Sequence, residues 1–444
     1  MNIQLSDHFT YSRLIRFVIP SIVMMIFTSI YGVVDGIFIS NYAGSTAFAS
    51  VNLIMPYAMI FSALGFMFGS GGTALVSMTM GEGKDEKANQ IFTLLVYTLI
   101  TCGIFFTVIG ELMLPTMAKV MGADDEMFSY CVAYGRIILI SLTGFMLQGM
   151  MQSFMVTAER PQLGLFITVA AGVGNIVGDF VLVGMLKLGV QGAALATVTS
   201  EFIGGLVPLF YFLGPNTSRL RLTKPYHDLR ILVRVCTNGA SELMTNVSLS
   251  LVNAVYNLQL MRMIGQNGVA VYGIIMYVNF IFISMFIGYS VGSAPLIGFN
   301  YGAQRHDELQ NLLRKSLIII CSAAVILKLL SQLMAQPLSF IFVGYDSGLR
   351  ELTEHAFTLY SFSYLLAGFN IFASAFFTAL SNGPVSALIS FSRVLLFQLA
   401  SVLLLPLIFG IDGIWTAIVA AEFCTLLLSA VCVLKLNGRY RYIR

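Results

Sequence analysis

Residues 71–88 read GGTALVSMTMGEGKDEKA, and residues 292–309, which lie 221 positions later, read GSAPLIGFNYGAQRHDEL. In both stretches a glycine-rich apolar segment runs into a short charged loop. Other matched positions follow the same offset: Gly44 with Gly265, GVQGAALA from Gly189 with GIDGIWTA from Gly410, and Glu201 with Glu422. Because one register holds along the whole chain, the sequence predicts two structural repeats.

The composition is that of an integral membrane protein. Hydrophobic residues make up 57% of the 444 residues and charged residues only 10%, whereas a soluble domain carries about 25% charged residues. Apolar stretches of about 20 residues recur along the chain, and each is long enough to cross a bilayer as a helix. The short alternating segments of a membrane β-barrel are absent from the sequence, so an all-α membrane fold is predicted.

Breaks that contain charged residues, glycine or proline predict twelve transmembrane helices. The expected spans lie near 14–39, 50–77, 90–115, 130–156, 162–185, 191–213, 235–262, 269–297, 315–342, 355–379, 384–409 and 413–435. A polar linker at 214–234 follows the sixth span, which predicts an N-lobe at 1–213 and a C-lobe at 235–444. Since each repeat has six spans, both should insert in the same orientation, as two parallel six-helix bundles related by a pseudo-twofold axis.

The positive charges are unevenly divided between the two sides of this predicted bundle. Seventeen Lys and Arg residues fall on the side that holds both termini and five on the opposite side, while Lys328 and Arg393 fall inside spans. Positively charged loops stay in the cytoplasm during membrane insertion. We therefore expect both termini to be cytoplasmic.

Six acidic residues fall inside the predicted spans, where a charged side chain costs about 2.5–3.5 kcal/mol on insertion scales. They are Asp35, Glu111, Asp179, Glu201, Glu242 and Glu422. Glu111 lies near the outer end of its span and can reach the interface. Glu201 and Glu422 occupy matching repeat positions, which favours a structural role such as a hydrogen bond between helices.

Asp35 and Asp179 differ from the other acids because the repeat does not reproduce them. Their counterparts at the 221-residue offset are Tyr256 and Ala400. This asymmetry in a symmetric scaffold predicts a task for the N-lobe alone.

Two neutral polar residues accompany these acids. Asn175 precedes Asp179 by four residues and so lies on the same helix face, and Thr197 in the sixth span adds a hydroxyl. Two carboxyl groups, an amide and a hydroxyl can share a proton, because neighbouring buried carboxylates do not both ionise readily. The same oxygens could coordinate Na⁺. A third reading is a permanently protonated network that only holds helices together.

Two further residues are candidates for a role in transport. Pro20 lies in the same predicted helix as Asp35, about 22 Å away along the axis, and a proline inside a helix favours a kink. It is a candidate hinge that couples protonation to helix shape. Glu242 is the one acid of the seventh span, and Ser21 stands at its repeat position. It could form a second ion site, contact a cationic substrate or serve structure alone.

The chain resembles the multidrug and toxic compound extrusion (MATE) family over all twelve spans. The resemblance is carried by VVDGIFIS at 33–40, the glycine-rich span end that leads into MGEGKDEKA, its echo YGAQRHDEL, and GNIVGDF. It is closest to the DinF-like branch. That likeness implies that Pro20, Asp35, Asn175, Asp179 and Thr197 form an N-lobe network that binds the coupling H⁺, or Na⁺, while the first helix bends. One departure is Met78, where many relatives carry arginine.

The resemblance also implies a function. Relatives export bulky, often cationic drugs and other small organic compounds in exchange for inward H⁺ or Na⁺, by alternating access. We therefore expect a monomeric, multi-pass antiporter in a prokaryotic plasma (inner) membrane that needs the lipid bilayer but no cofactor, resident metal or nucleic acid.

Other protein classes fit the sequence less well. An ATP-driven pump would need GxxxxGK[ST] and a zinc protease HExxH, and neither motif occurs. The six cysteines also show no metal-ligand spacing. Because these motifs and this spacing are missing from the sequence, no enzyme is predicted. The alternative left open is a flippase or exporter of a lipid-linked or other amphipathic metabolite. Such a protein would need cations for phosphate groups inside its cavity, and only Lys328 and Arg393 are candidates.

Overall fold

The computed structural model describes residues 3–226, 228–344 and 346–443. Within these ranges the regular structure is entirely helical. The α-helices are α1 (Tyr11–Phe38), α2 (Ser45–Gly81), α3 (Asp85–Val120), α4 (Asp125–Ile140), α5 (Leu142–Thr157), α6 (Pro161–Gly178), α7 (Gly189–Leu213), α8 (Leu229–Ile264), α9 (Gln266–Gly302), α10 (His306–Val343), α11 (Ser347–Tyr360), α12 (Tyr364–Ala379), α13 (Gly383–Phe391), α14 (Leu399–Phe409) and α15 (Ile411–Tyr440).

Three π-helical segments and one 3₁₀ turn extend or join these helices. The π-helical segments are Ile39–Ala43, Asp179–Met185 and Ser392–Gln398, and the 3₁₀ turn is Ser361–Ser363. With α4 and α5 taken together, the described residues form twelve rods in the order of the twelve predicted spans. The α4–α5 pair bends by 55°.

Ten of these rods, or eleven with the bent pair, are long and apolar enough to cross a membrane within the described residues. The remaining rod is α8, which covers the predicted seventh span. It is less apolar because it carries Asn238, Glu242 and Asn246 at four-residue intervals, which form a polar stripe along one helix face. Asn238 is buried and donates to the Thr378 carbonyl oxygen over 2.9 Å, so at this position the stripe faces a neighbouring helix rather than lipid.

Most rods begin earlier than the sequence predicts, and α8 and α10 are among those with the largest differences. Helix α8 begins at Leu229, inside the predicted linker 214–234, and α10 begins at His306 rather than near 315. The first turn of α10 contains Asp307 and Glu308, whose charges stabilise a helix N-terminus. Apolar runs therefore locate the part of a helix in the membrane but miss a polar first turn outside it.

The two lobes meet along a seam of glycines at the end that carries both termini. A Cβ on Gly81 would lie 2.0 Å from the Phe299 carbonyl oxygen, and one on Gly302 would lie 2.0 Å from that of Met78. Residues 81 and 302, and likewise 78 and 299, are repeat partners, so the two contacts are related by the pseudo-twofold axis. Only glycine permits such close backbone approach. Met78, the departure from the family pattern, is buried in this seam.

The same seam continues toward the middle of the molecule. A Cβ on Gly71 would lie 2.3 Å from the Val235 carbonyl oxygen, and one on Gly288 in α9 would lie 2.5 Å from Cα of Ile22 in α1. Farther from the termini, added Cβ atoms on Gly32 of α1 and Gly273 of α9 would meet nothing within 4 Å. The lobes are thus in close backbone contact on the terminal side, and these two positions of α1 and α9 farther along have open space beside them.

Candidate functional site

Asp35 and Asp179 lie next to each other inside the N-lobe. Helix α6 approaches α1 closely at Gly172, where an added Cβ would lie 2.5 Å from the Phe27 ring. This approach places the Asp35 and Asp179 carboxyl groups next to each other. Asp179 is fully buried, and neither of its carboxyl oxygens has a hydrogen-bond partner in the described structure, nor does Oδ1 of Asp35. Buried acceptors without donors are costly, so the pair is suited to bind a proton or a cation.

Asn175 and Thr197 complete the cluster that the sequence predicts. The Asn175 side-chain amide donates to Thr197 Oγ1 over 3.4 Å, and its Oδ1 has no partner within the described residues. Asp179 begins a π-helical segment, and its backbone N–H is shared between the carbonyls of Asn175 and Ile176. Segments of this kind are frequent at functional sites because they widen the helix locally. The structure therefore brings Asp35, Asn175, Asp179 and Thr197 together.

Two tyrosines at the site were not found by sequence reasoning. Tyr31 lies four residues before Asp35 on α1, a spacing that could have identified it. Tyr134 of α4 is buried, lies 3.7 Å from the Met55 sulfur and is close enough to Asp35 and Asp179 to be affected by their charge. No sequence pattern points to Tyr134, since only the tertiary contact between α4 and its neighbours brings it there.

The matched acids Glu201 and Glu422 both make the predicted hydrogen bonds between helices. Glu201 pairs with the Ser141 hydroxyl at the bend between α4 and α5. Glu422 accepts from Arg393 Nε over 2.8 Å and from Asn370 Nδ2 over 2.7 Å. Arg393, one of the two cations inside spans, is therefore already neutralised by an acid.

The remaining candidates lie away from this cluster. Pro20 is buried in α1, beside Ser21, which contacts α9 in the seam. Glu242 lies on the polar stripe of α8 in the other lobe and forms no ion pair with a described residue. Lys328 donates to Gln332 Oε1 over 2.7 Å. The structure thus separates Pro20 and Glu242 from the N-lobe carboxyl groups.

The geometry also bears on which cation could bind. Within the described ranges no group of three or more His, Cys, Asp or Glu side chains could hold a metal ion. A Na⁺ at Asp35 and Asp179 would therefore need the neutral oxygens of Asn175 and Thr197 as further ligands. A proton needs only one of the unpartnered carboxyl oxygens.

Comparison with known proteins gives a consistent result. The MatE family model matches residues 20–181 and 243–403, once in each half of the chain. The multidrug export protein MepA of Staphylococcus saprophyticus is 22% identical over 426 residues, which cover 94% of this chain and 92% of that protein.

Two solved structures share the fold. A structure described as the outward-facing conformation of a multidrug resistance MATE family transporter has a TM-score of 0.93 at 19% identity, covering 99% of this chain and 98% of that one. A transporter from Pyrococcus furiosus has a TM-score of 0.91 at 19% identity, and the alignment covers 98% of this chain and 97% of that one. Its binding pocket is described as having reverse polarity, which suggests that it has a different function. These likenesses establish the fold, and substrate must be argued from the site.

Proposed function

Because the chain belongs to the MatE family of membrane transporters, we propose that it is a secondary active multidrug exporter of bulky, often cationic organic compounds. Inward movement of H⁺, or of Na⁺, drives the export. The observation that carries this proposal is the pair of neighbouring carboxyl groups, Asp35 and Asp179, whose buried oxygens lack partners in the described structure. The MepA relative, a multidrug export protein, supports the drug specificity.

The cycle begins with the lobes closed on the terminal side, as in this structure. Protons from outside reach Asp35 and Asp179, and their neutralisation removes the repulsion between the two carboxylates. Helix α1 then repacks around Pro20, and the site loses affinity for a cationic drug, which leaves outward. Opening of the terminal side returns the proton to the cytoplasm and admits the next drug molecule. Glu242, on the polar stripe of α8, is a candidate contact for the drug cation.

The energy available from this exchange can be bounded. One elementary charge that crosses a potential of about 100 mV contributes about 2.3 kcal/mol. That free energy supports a concentration ratio of roughly fiftyfold for a drug without net charge. A monovalent cation exchanged for one proton moves no net charge, so its ratio is set by the pH difference, at about tenfold per pH unit.

Purified protein in liposomes tests the proposal. We expect an imposed pH gradient with an acidic interior to drive accumulation of a fluorescent organic cation such as ethidium inside the liposomes, because outward proton flow is exchanged for inward drug. Nigericin, which dissipates the pH gradient, should abolish the accumulation. Parallel liposomes with an imposed Na⁺ gradient distinguish the coupling ion, and empty liposomes are the control. Failure of both gradients to move any of several cations would contradict the proposal.

The alternative function, export of a lipid-linked or other amphipathic metabolite, has less support from the described residues. Arg393 is paired with Glu422, whereas Lys328 donates only to the neutral Gln332 side chain. A single unneutralised cation inside the spans is fewer than a site for several phosphate oxygens would need. The Pyrococcus furiosus transporter has this fold but is described as having a binding pocket of reverse polarity. An altered distribution of lipid precursors in cells, together with unchanged drug efflux, would favour this alternative.

The N-terminal segment, residues 3–10, links the two lobes on the terminal side. The Leu5 N–H donates to Glu159 Oε1 of the N-lobe over 2.8 Å, and the Phe9 N–H donates to Glu308 Oε1 of the C-lobe over 2.9 Å. Leu5 and Phe9 are fully buried, and burial raises the pKa of Glu159 against the opposing effect of the Leu5 N–H. His8 Nδ1 lies 2.6 Å from Glu308 Oε2. This segment must release one lobe before the terminal side opens.

We expect Glu308→Gln to make the terminal side open more often. A hydrogen bond to a charged group contributes about 1.5–3 kcal/mol, so loss of the carboxylate should raise the open fraction about tenfold. A cysteine introduced as Ser21→Cys, after replacement of the six native cysteines, reports the opening. Ser21 is buried in the seam and its hydroxyl makes no hydrogen bond in the described structure, so the substitution removes no bond.

Labelling of that cysteine by a membrane-impermeant maleimide from the terminal side is the measurement. Asp307→Asn is the matched control. Asp307 lies in the same helical turn as Glu308, and the substitution removes an equal charge. Equal labelling rates in Glu308→Gln and Asp307→Asn would show that the segment does not hold the terminal side closed.

A further inference from the structure

Glu201 and Glu422 stand at the same repeat position but have different surroundings. The Glu422 carboxylate is 1% exposed and is bound by the Arg393 guanidinium and the Asn370 amide. At the positions that correspond to Arg393 and Asn370, the first repeat has Gly172 and Gly149. Because glycine has no side chain, Glu201 lacks both donors that hold its counterpart in the ionised form. Glu201 is nevertheless buried, with 6% exposure.

The partner that Glu201 does have fits a protonated carboxyl group. The Ser141 hydroxyl contacts Glu201 Oε2 and also lies 2.9 Å from the Ile138 carbonyl oxygen. One hydroxyl has a single proton to donate. If Glu201 is ionised, Ser141 donates to the carboxylate and its bond to Ile138 is lost. If Glu201 is protonated, it donates to Ser141 and Ser141 donates to Ile138, so both contacts are satisfied.

The titratable groups around Glu201 include no cation that would favour its ionised form. Asp35 of α1 acts on Glu201, and the Tyr134 hydroxyl of α4 is near Asp35, Asp179 and Glu201 alike. Tyr31 of α1 is near it as well. Among the described residues, no Lys, Arg or His forms an ion pair with Glu201. Burial without a counter-cation, beside a second acid, makes a carboxyl group hold its proton.

We propose that Glu201 is a third proton-binding carboxyl group of the N-lobe site and that Ser141 transmits its protonation state to the bend between α4 and α5. The inference rests on the proposed function, because it extends the same site. Ser141 lies between α4 and α5, where the chain bends by 55°. Loss of the proton from Glu201 turns the Ser141 hydroxyl toward the carboxylate and removes one hydrogen bond within the bend.

A change in this bend has a direct path to the seam between the lobes. Helix α5 packs closely on α2, since a Cβ on Gly65 of α2 would lie 2.3 Å from the Met146 carbonyl oxygen. Helix α2 carries Gly71 and Gly81, which make the closest backbone contacts with the C-lobe. Rigid backbone contact transmits a shift of α5 to α2. Glu201 thereby links proton binding to the closing contacts, and the paired Glu422 of the C-lobe does not.

Infrared spectroscopy of the purified protein in lipid nanodiscs tests the assignment without requiring transport. Protonated carboxyl groups have a C=O stretch that disappears as they ionise. We expect the pH titration of wild type to contain a component that Glu201→Gln removes and Glu422→Gln leaves in place. Ser141→Ala should shift that component to higher frequency, because the carboxyl group loses its hydrogen-bond partner. Glu111→Gln is a second control for loss of an acid from a span.

Transport gives a second readout. Glu201→Gln should still bind drug but should take up fewer protons per drug exported, with a flatter dependence of export on external pH. An infrared titration of Glu201→Gln identical to that of wild type would overturn the inference, even if drug export remained proton-driven. Unchanged coupling in Asp35→Asn and Asp179→Asn would instead contradict the proposed function, whatever the spectrum of Glu201.

Discussion

Replacement of Asp35 by Asn should reduce the gradient of a monovalent drug cation that the protein sustains under a pH difference of about two units from roughly a hundredfold to none. The asparagine amide has nearly the shape of the carboxyl group, but it cannot gain and lose a proton or neutralise Na⁺. Drug can then equilibrate across the membrane but cannot be concentrated. Steady-state accumulation of a fluorescent cation in proteoliposomes under an imposed gradient measures the effect.

Asp412→Asn is the matched control for Asp35→Asn. Asp412 is half-exposed and is paired with His355 at a helix end, far from the N-lobe cluster, so its replacement should leave the gradient unchanged. Asp179→Asn should have the same effect as Asp35→Asn, and the double variant should be no worse, because the two carboxyl groups act as one unit. Undiminished accumulation in Asp35→Asn would remove Asp35 from the mechanism.

Replacement of Arg393 by Met should lower the free energy of unfolding by about 3–5 kcal/mol. The substitution leaves the Glu422 carboxylate, which is 1% exposed, without its cation. A buried, unpaired charge is strongly destabilising, whereas replacement of a whole buried pair by apolar residues is often neutral. The Arg393→Met/Glu422→Leu variant should therefore recover most of the lost stability. Unfolding in lipid or detergent by heat and denaturant measures the stability of both variants against wild type.

Arg136→Met provides the comparison for this prediction. Arg136 is exposed and lies 4.0 Å from Glu111, and exposed pairs contribute only about 0–1 kcal/mol. Its loss should barely change stability. If the double variant in the C-lobe were as unstable as Arg393→Met alone, the cost would come from lost side-chain contacts and not from an uncompensated charge.

The comparison of sequence and structure shows where periodicity is sufficient. The π-helical segment at Asp179 keeps that residue on the same buried face as Asn175, as the four-residue spacing indicates. Thr197 lies in the next helix, α7. The predicted bounds of that helix were sufficient to expect Thr197 near Asn175 and Asp179. Glu201 was expected to be structural because the repeat reproduces it in Glu422. The acids are symmetric, but their partners are not, since Gly172 replaces Arg393.

The sequence by itself determined the twelve helices, the two repeats and the asymmetric acids, because hydrophobic length and a constant offset are properties of the chain. Only the tertiary structure decided which charges are paired. Arg393 meets Glu422 and the Phe9 N–H meets Glu308, 299 positions away, and Asp179 is left with unpartnered oxygens among the described residues. Pairing depends on how far each helix is rotated and how closely its glycines let a neighbour approach. Neither quantity is encoded in the periodicity of one segment.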